Sequence, residues 1–325
     1  MSWDQHKPQW NRRVGNQVGW ILLAVLVVLL LSMFDFPFLS SKRTVIVYTS
    51  QDQEYAEPIF KEFTKQTRIE VRAVFDSEAV KTVGLVNRLL AEKNHPQCDV
   101  FWNNEEFRTR QLEKAGVLRE KNAWDSFGFR ERRLVINTNQ LTNPNCPRTL
   151  VALTNDACRG KIALAYPFFG TTATHFLALR QIWGEERWLN WCRALIANKP
   201  FLVDGNSVVV KLVARGEAWI GLTDTDDIRA AQREGLPVEG IDLRDENFFI
   251  RNTVAIIRNA PHPEAAQKLF DYLKGPEVHQ KLLAAGAVEG FAARQATITP
   301  PTIDWDKLLQ SQEETVAQLK QIFLR

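Results

Sequence analysis

Tyrosine, cysteine and long apolar runs are scarce in this chain, and each scarcity removes a class of protein. There are four tyrosines in 325 residues, too few for a site built on many phenolates. The four cysteines, Cys98, Cys146, Cys158 and Cys192, form no C-x-x-C pair and have no histidine at zinc-like spacing, which argues against a structural zinc site. Lysine and arginine total 41 against 38 acidic residues, a net charge of +3, with no basic block or stripe, so nucleic acid is a poor partner. H-E-x-x-H, G-x-S-x-G and the phosphate-binding P-loop are missing, and no histidine lies near the acidic cluster at Asp224. Hydrolytic and nucleotide-driven catalysis therefore lose their usual signatures. Internal repeats and low-complexity tracts are also absent.

What is present begins with a segment of different character. His6, Lys7, Arg12 and Arg13 precede an uncharged apolar run from Val18 to Phe34, close to the shortest length, about 17 residues, that spans a bilayer. Its exit through Asp35, Pro37 and Ser40 lacks small residues in an A-x-A-like arrangement. Both an uncleaved anchor and a cleaved signal remain open over residues 1–43. Leading basic residues orient the segment with its N-terminus inside, which places the rest at the periplasmic or outer face of a bacterial cytoplasmic membrane. In that oxidising compartment one disulfide is expected, first between Cys146 and Cys158, which flank a short polar segment; the alternative is four buried thiols.

From Thr44 onward the pattern alternates strand and helix. Thr44–Thr49 is a continuous apolar run suited to a buried parallel strand. Ala56, Ile59, Phe60 and Phe63 follow at helical spacing, and Ile69–Phe75 alternates as a strand. Further strands are expected at Asp99–Trp102, Leu134–Asn137, Ile162–Tyr166, Phe201–Val203, Trp219–Thr223 and Thr253–Ile257. Helices are expected near 79–93 and 105–115, and from Thr171, Glu185, Asn206, Asp224, Pro263, Pro276 and Asp304. The sum is an α/β chain of two lobes, each a mainly parallel sheet flanked by helices. Residues 44–137 and 251–325 are expected in lobe 1 and 138–250 in lobe 2.

Ligands of open α/β sheets bind beyond the carboxyl ends of the strands. The loops there carry Ser50, Gln51 and Asp52; Ser77 and Glu78; Asn103 and Glu105; Gly170 and Thr171; Asp204 and Asn206; and Thr225, Asp226 and Asp227. Helix capping alone explains many such residues, Ser50, Asp76, Asp204 and Asp224 among them. Their concentration at one end of the strands is what makes them candidate ligand-binding residues. So many carboxylates, with Lys81 as a nearby cation, call for a cationic partner, either a hard metal ion or an amine-bearing solute. The turn Phe169-Gly170-Thr171-Thr172 argues mildly for an oxyanion instead. Trp102 and Phe168 serve equally well as ligand walls or as core, and His175 sits in a helical pattern as a packed residue.

Several segments resemble the ferric-iron-type family of periplasmic solute-binding proteins that serve ABC importers. They include Val45–Asp52, Thr67–Val71, Val86–Glu92 leading to Asp99–Trp102, Gly216–Asp227, Asn252–Ile257 and Ala260–Ala266. The resemblance runs from about Thr44 to Arg325. It implies the two-lobed type II periplasmic-binding fold, no catalysis, no required cofactor, a monomer, and a membrane permease with its ATPase as partners. It also implies ferric iron, or another hard cation, as bound cargo. Where many relatives place paired tyrosines this chain has Thr225, Asp226 and Asp227; Asp52 stands at a first-loop histidine position and Glu78 at a glutamate position. The metal-ligand set that follows is Asp52, Glu78, Asp226 and Asp227, without the phenolates. An anchored sensor of a ligand is the other reading that the N-terminal segment suggests.

Overall fold

The computed structural model describes residues 43–76, 83–141, 146–243, 246–290 and 301–324. The Val18–Phe34 segment, Ser77, Glu78 and Lys81 lie outside them. Among the described residues no helix is long and apolar enough to cross a membrane.

In chain order the elements are β1 (Thr44–Thr49), α1 (Gln53–Thr67), β2 (Glu70–Phe75), α2 (Val83–Ala91), β3 (Val100–Asn103), α3 (Glu106–Lys114) and β4 (Trp124–Asn137). After two short 3-10 turns come β5 (Ile162–Ala165), α4 (Gly170–Trp183), α5 (Glu185–Ala197), β6 (Phe201–Val203), α6 (Asn206–Ala214), β7 (Ile220–Asp224), α7 (Thr225–Arg233) and β8 (Val238–Ile241). The chain closes with β9 (Phe249–Ile256), α8 (Pro263–Leu273), α9 (Pro276–Ala284) and α10 (Trp305–Phe323).

Strand order is β2-β1-β3-β9-β4-β7-β5-β6, with β8 also on β4. Two parallel blocks, β2-β1-β3 and β7-β5-β6, are joined by the antiparallel strands β9 and β4. Helices cover both faces of each block, which is why its strands read as unbroken apolar runs. In the first block Val45, Val47 and Trp102 pack on Phe60 and Phe63 of α1 and on α8, while Tyr48 and Phe101 face Leu85, Leu89 and Leu112. In the second, Leu134, Ile162 and Leu222 meet Phe176, Trp188 and Trp191, and Val135 and Ala163 meet Val209 and Ile228.

Strand β4 ties the halves together. Its residues from Trp124 to Glu131 pair with β9, and those from Arg132 on pair with β7. The first crossing thus lies inside β4, ahead of the expected boundary at Asn137. A bulge between Ser126 and Phe129 bends the strand at Gly128 (φ +65°), where a Cβ would stand 2.8 Å from Val288 Cβ; glycine alone meets both demands cheaply. The last helix departs from the expected lobe 1 segment. Leu308, Leu319 and Phe323 of α10 are buried in the second half's core with Phe176 and Trp191, because the helix's apolar stripe fits the outer faces of α4 and α5.

The expected disulfide does not form. All four cysteines are thiols, Cys146, Cys158 and Cys192 in the second half's core and Cys98 in the first, in keeping with cysteine's behaviour as a small buried hydrophobe. Trp102 is core as well, fully buried and edge-on to Phe60.

Candidate functional site

The carboxyl ends of β1, β3, β5, β6 and β7 converge on one cavity. It is lined by Asp52, Asn104, Arg130, Ala165, Tyr166, residues 169–172, residues 204–206, Asp224, Asp226 and Asp227, and holds about 480 Å³ including its solvent-open mouth. An outer groove shares Asp52, Asp226 and Asp227 with it and adds Glu54, Tyr55, Lys211 and Glu234.

The structure brings Asp52, Gly170, Thr171, Asp204, Asn206, Asp226 and Asp227 to these surfaces, as expected from their loops. It assigns other candidates to the frame beneath. Ser50 Oγ lies 2.7 Å from Asn103 Oδ1 and accepts from the Asn104 amide. Gln51 Oε1 accepts from Asn252 at 3.1 Å, and Thr225 Oγ1 from the Glu131 amide at 3.2 Å. Glu105 is wholly buried: it caps α3 through the Arg108 amide and accepts from Thr174 Oγ1 at 3.0 Å. Burial pushes its carboxyl above the usual range. These five residues position the loops and do not line the cavity.

Two residues missed in the sequence change the electrostatics. Arg130 and Arg132, two apart on β4, share one face of the strand and enter beneath the carboxylates, while Glu131 and Arg133 pair on the other face at 2.9 Å. Arg132, completely buried, meets Asp224 Oδ1 at 2.8 Å. Thr171 Oγ1 donates to the other Asp224 oxygen at 2.6 Å and Asn206 Nδ2 at 3.0 Å. Burial works against the charged form of Asp224, but Arg132 and Arg130 prevail and hold its carboxyl below the usual range. Asp224 stands at the N-cap of α7 yet makes no side-chain capping bond, since its oxygens are committed to these partners.

Arg130 contacts Asp226 Oδ2 at 3.0 Å and also donates to the Asn104 carbonyl. Asp226 Oδ1 is left without a partner among the described residues, although the residue is 4% exposed. Burial, which Arg130 only partly offsets and Asp224 and Asp52 reinforce, raises Asp226 to about 6. Asp224, Asp226 and Asp227 lie close enough, within 4.8 Å oxygen to oxygen, to share a cation. Two of the three already carry guanidinium partners.

The remaining candidates resolve simply. His175 is buried in α4, stacked 5.4 Å from Phe248; burial, with Arg132 nearby, drives its pKa well below normal and keeps it neutral. Phe168 is core, whereas Tyr166 and Phe169 reach the cavity. The alternation Arg-Glu-Arg-Arg at residues 130–133 was the signal for the hidden cations, since a charged stretch running straight into Leu134–Asn137 puts every second side chain inward.

A family model for bacterial extracellular solute-binding proteins matches residues 45–287. The chain is 22% identical over 268 residues to the major ferric iron-binding protein of Neisseria gonorrhoeae, covering 75% of this chain and 79% of that one. Iron-bound HitA from Pseudomonas aeruginosa superposes with a TM-score of 0.74 at 18% identity, over 86% of this chain and 99% of HitA. AfuA from Actinobacillus pleuropneumoniae, with fructose-6-phosphate bound, gives 0.72 at 18% identity over 87% and 99%. At these identities the structural likeness is one of fold: the type II periplasmic-binding architecture.

Proposed function

The chain belongs to the family of bacterial extracellular solute-binding proteins, and from that membership we propose that it is the substrate-binding component of an ABC importer. It closes two lobes over a small solute at the periplasmic or outer face of the membrane, as a monomer, and hands it to a permease driven by a cytoplasmic ATPase. The Val18–Phe34 segment holds it there or directs its export.

The observation that carries this reading is the polar cavity at the strand ends of both halves, lined by Arg130, with Arg132 buried behind Asp224 on the same joining strand. Buried charges at such a crossing stabilise the fold less than apolar residues of the same shape would, so their presence points to a recognition role. The cargo is a polar organic solute. Against the attraction of the Asp224, Asp226 and Asp227 carboxylates, a bare ferric ion about 5 Å from Arg130 meets repulsion on the order of 10 kcal/mol at an effective dielectric constant of about 20, and two of those three carboxylates are already bonded to arginine. The Asp224, Asp226 and Asp227 cluster, together with the names of the relatives, supports a second reading, in which iron arrives within an organic complex that lowers its charge.

Elemental analysis of protein purified without chelator, followed by calorimetry with ferric chloride and ferric citrate, separates these. The organic reading expects no stoichiometric iron and no heat from either salt. Heat with ferric citrate alone supports the iron complex, and one tightly held iron without an anion overturns the argument from Arg130.

A further inference from the structure

We infer that the captured solute carries a primary ammonium group, which donates to Asp226 Oδ1 at the junction of the inner cavity and the outer groove. This rests on the reading of the cleft as a site for a small organic solute, and it names the chemistry of that solute.

The first observation is Asp226 itself. One carboxylate oxygen is spent on Arg130 at 3.0 Å; the other has no partner among the described residues, in a residue 4% exposed that lines both cavity and groove. A buried acceptor left unmet is costly, and a donor from the ligand removes that cost. The second observation is the charge around it. Of the groove residues, Asp52, Asp227, Glu54 and Glu234 are acidic against Lys211, so a cation is drawn in from the mouth. The third is that most donors at the inner end are committed within the protein: Arg132, Thr171 and Asn206 all bond Asp224, and Arg130 bonds Asp226 and the Asn104 carbonyl, with its Nε left over among the described residues. Asp224 fills from within the role an oxyanion would take. The fourth is aromatic surface. Tyr166 and Phe169 line the cavity, and ring faces attract an organic cation and its carbon skeleton. A singly charged ammonium bears about one third of the repulsion from Arg130 that a ferric ion does.

The test uses the full chain, purified in detergent, in thermal-shift and calorimetric titrations. Putrescine, ethanolamine, agmatine and lysine are the amine probes. Butane-1,4-diol and ethylene glycol are matched uncharged controls, and fructose-6-phosphate and ferric citrate represent the chemistry of the relatives. At least one amine is expected to bind and its alcohol counterpart to be silent, with Asp226→Asn weakening the amine by about 10- to 100-fold. Asp52→Asn, at a half-buried position, provides the same reading should Asp226→Asn fail to fold. Amine affinity unchanged in every folded variant overturns the inference. Binding of fructose-6-phosphate or ferric citrate with no amine bound also overturns it, while leaving the solute-binding role intact. Silence toward every probe, with scattering curves that never contract, counts against both.

Discussion

Replacing Arg132 by methionine removes the cation that holds Asp224 and keeps most of the buried volume. Arg132 is completely buried, 2.8 Å from Asp224 Oδ1, with Thr171, Thr172 and Asn206 within 3.4 Å of its guanidinium. Breaking a buried pair by removing one partner costs about 3–5 kcal/mol. Thr171, Asn206 and, at 3.9 Å, Arg130 still face Asp224, so the low end, about 3 kcal/mol, is expected. At roughly 2 °C per kcal/mol for a chain of this size, the melting temperature falls by about 6 °C at pH 7. Asp224→Asn strands Arg132 in turn and costs a similar amount. The double variant removes both charges, so its cost falls short of the sum of the single costs by at least about 1.5 kcal/mol. Urea unfolding of the four proteins measures the cycle. A single variant within about 1 kcal/mol of the parent, or costs that add within about 0.5 kcal/mol, refutes the pairing as the basis of the site's frame.

Glu131 gives a pH signature. Burial, opposed by Arg133 and reinforced by Glu289 and Asp242, pushes its carboxyl from 4.5 up to about 7. The folded state therefore binds the extra proton, and stability falls as pH rises from about 4.5 through 7, by at most about 3 kcal/mol. Glu131→Gln should flatten melting temperature against pH over that window, and an unchanged slope rejects the assignment. At Gly221 on β7 a Cβ would overlap Val209 Cγ1 and press on Ala163 O and Val135 Cγ1 at 3.2 Å, so Gly221→Ala should cost about 1–3 kcal/mol in denaturant unfolding. A neutral result there means that α6 shifts freely over the sheet. Arg233 of α7 donates to Ala285 O at 2.6 Å and Tyr55 OH at 3.1 Å, reaching the first half from the second. Losing these exposed contacts, worth up to about 1 kcal/mol, should shift the closed-to-open ratio by about 5-fold in Arg233→Ala. Small-angle scattering of the ligand-free protein reads this as a larger radius, and identical curves refute it.

How far the sequence disclosed the fold depended on whether an element's face was decided locally. Ala56, Ile59, Phe60 and Phe63 define the buried stripe of α1 without outside help, and the prolines at 263 and 276 mark helix starts by their fixed φ. Beginning β4 only at Leu134 lost its first ten residues, because Trp124–Arg133 holds five charged side chains, and four of them, Asp125, Arg130, Arg132 and Arg133, meet partners distant in sequence. Strand β8 was missed for a related reason. Val238-Glu-Gly-Ile241 is short and half polar, and it is held by pairing with β4. The place of α10 could not be read either, since an amphipathic stripe says that a helix packs and not upon which half.

The site was legible in its loops and illegible in its charge balance. Asp224 and Arg132 are 92 positions apart and meet through the β4–β7 register, so local reasoning counted the carboxylates and missed what neutralises them. Restoring the arginines alters the chemistry that the cluster implies. An acidic cleft without cations calls for a multiply charged metal, whereas here Asp224 is spent on Arg132 and half of Asp226 on Arg130. What remains at the junction, among the described residues, is an unmet Asp226 oxygen in acidic surroundings, beside the Arg130 guanidinium, whose Nε is also unmet. That remainder of charge matches one monovalent donor group, which ties the identity of the cargo to the strand that joins the two halves.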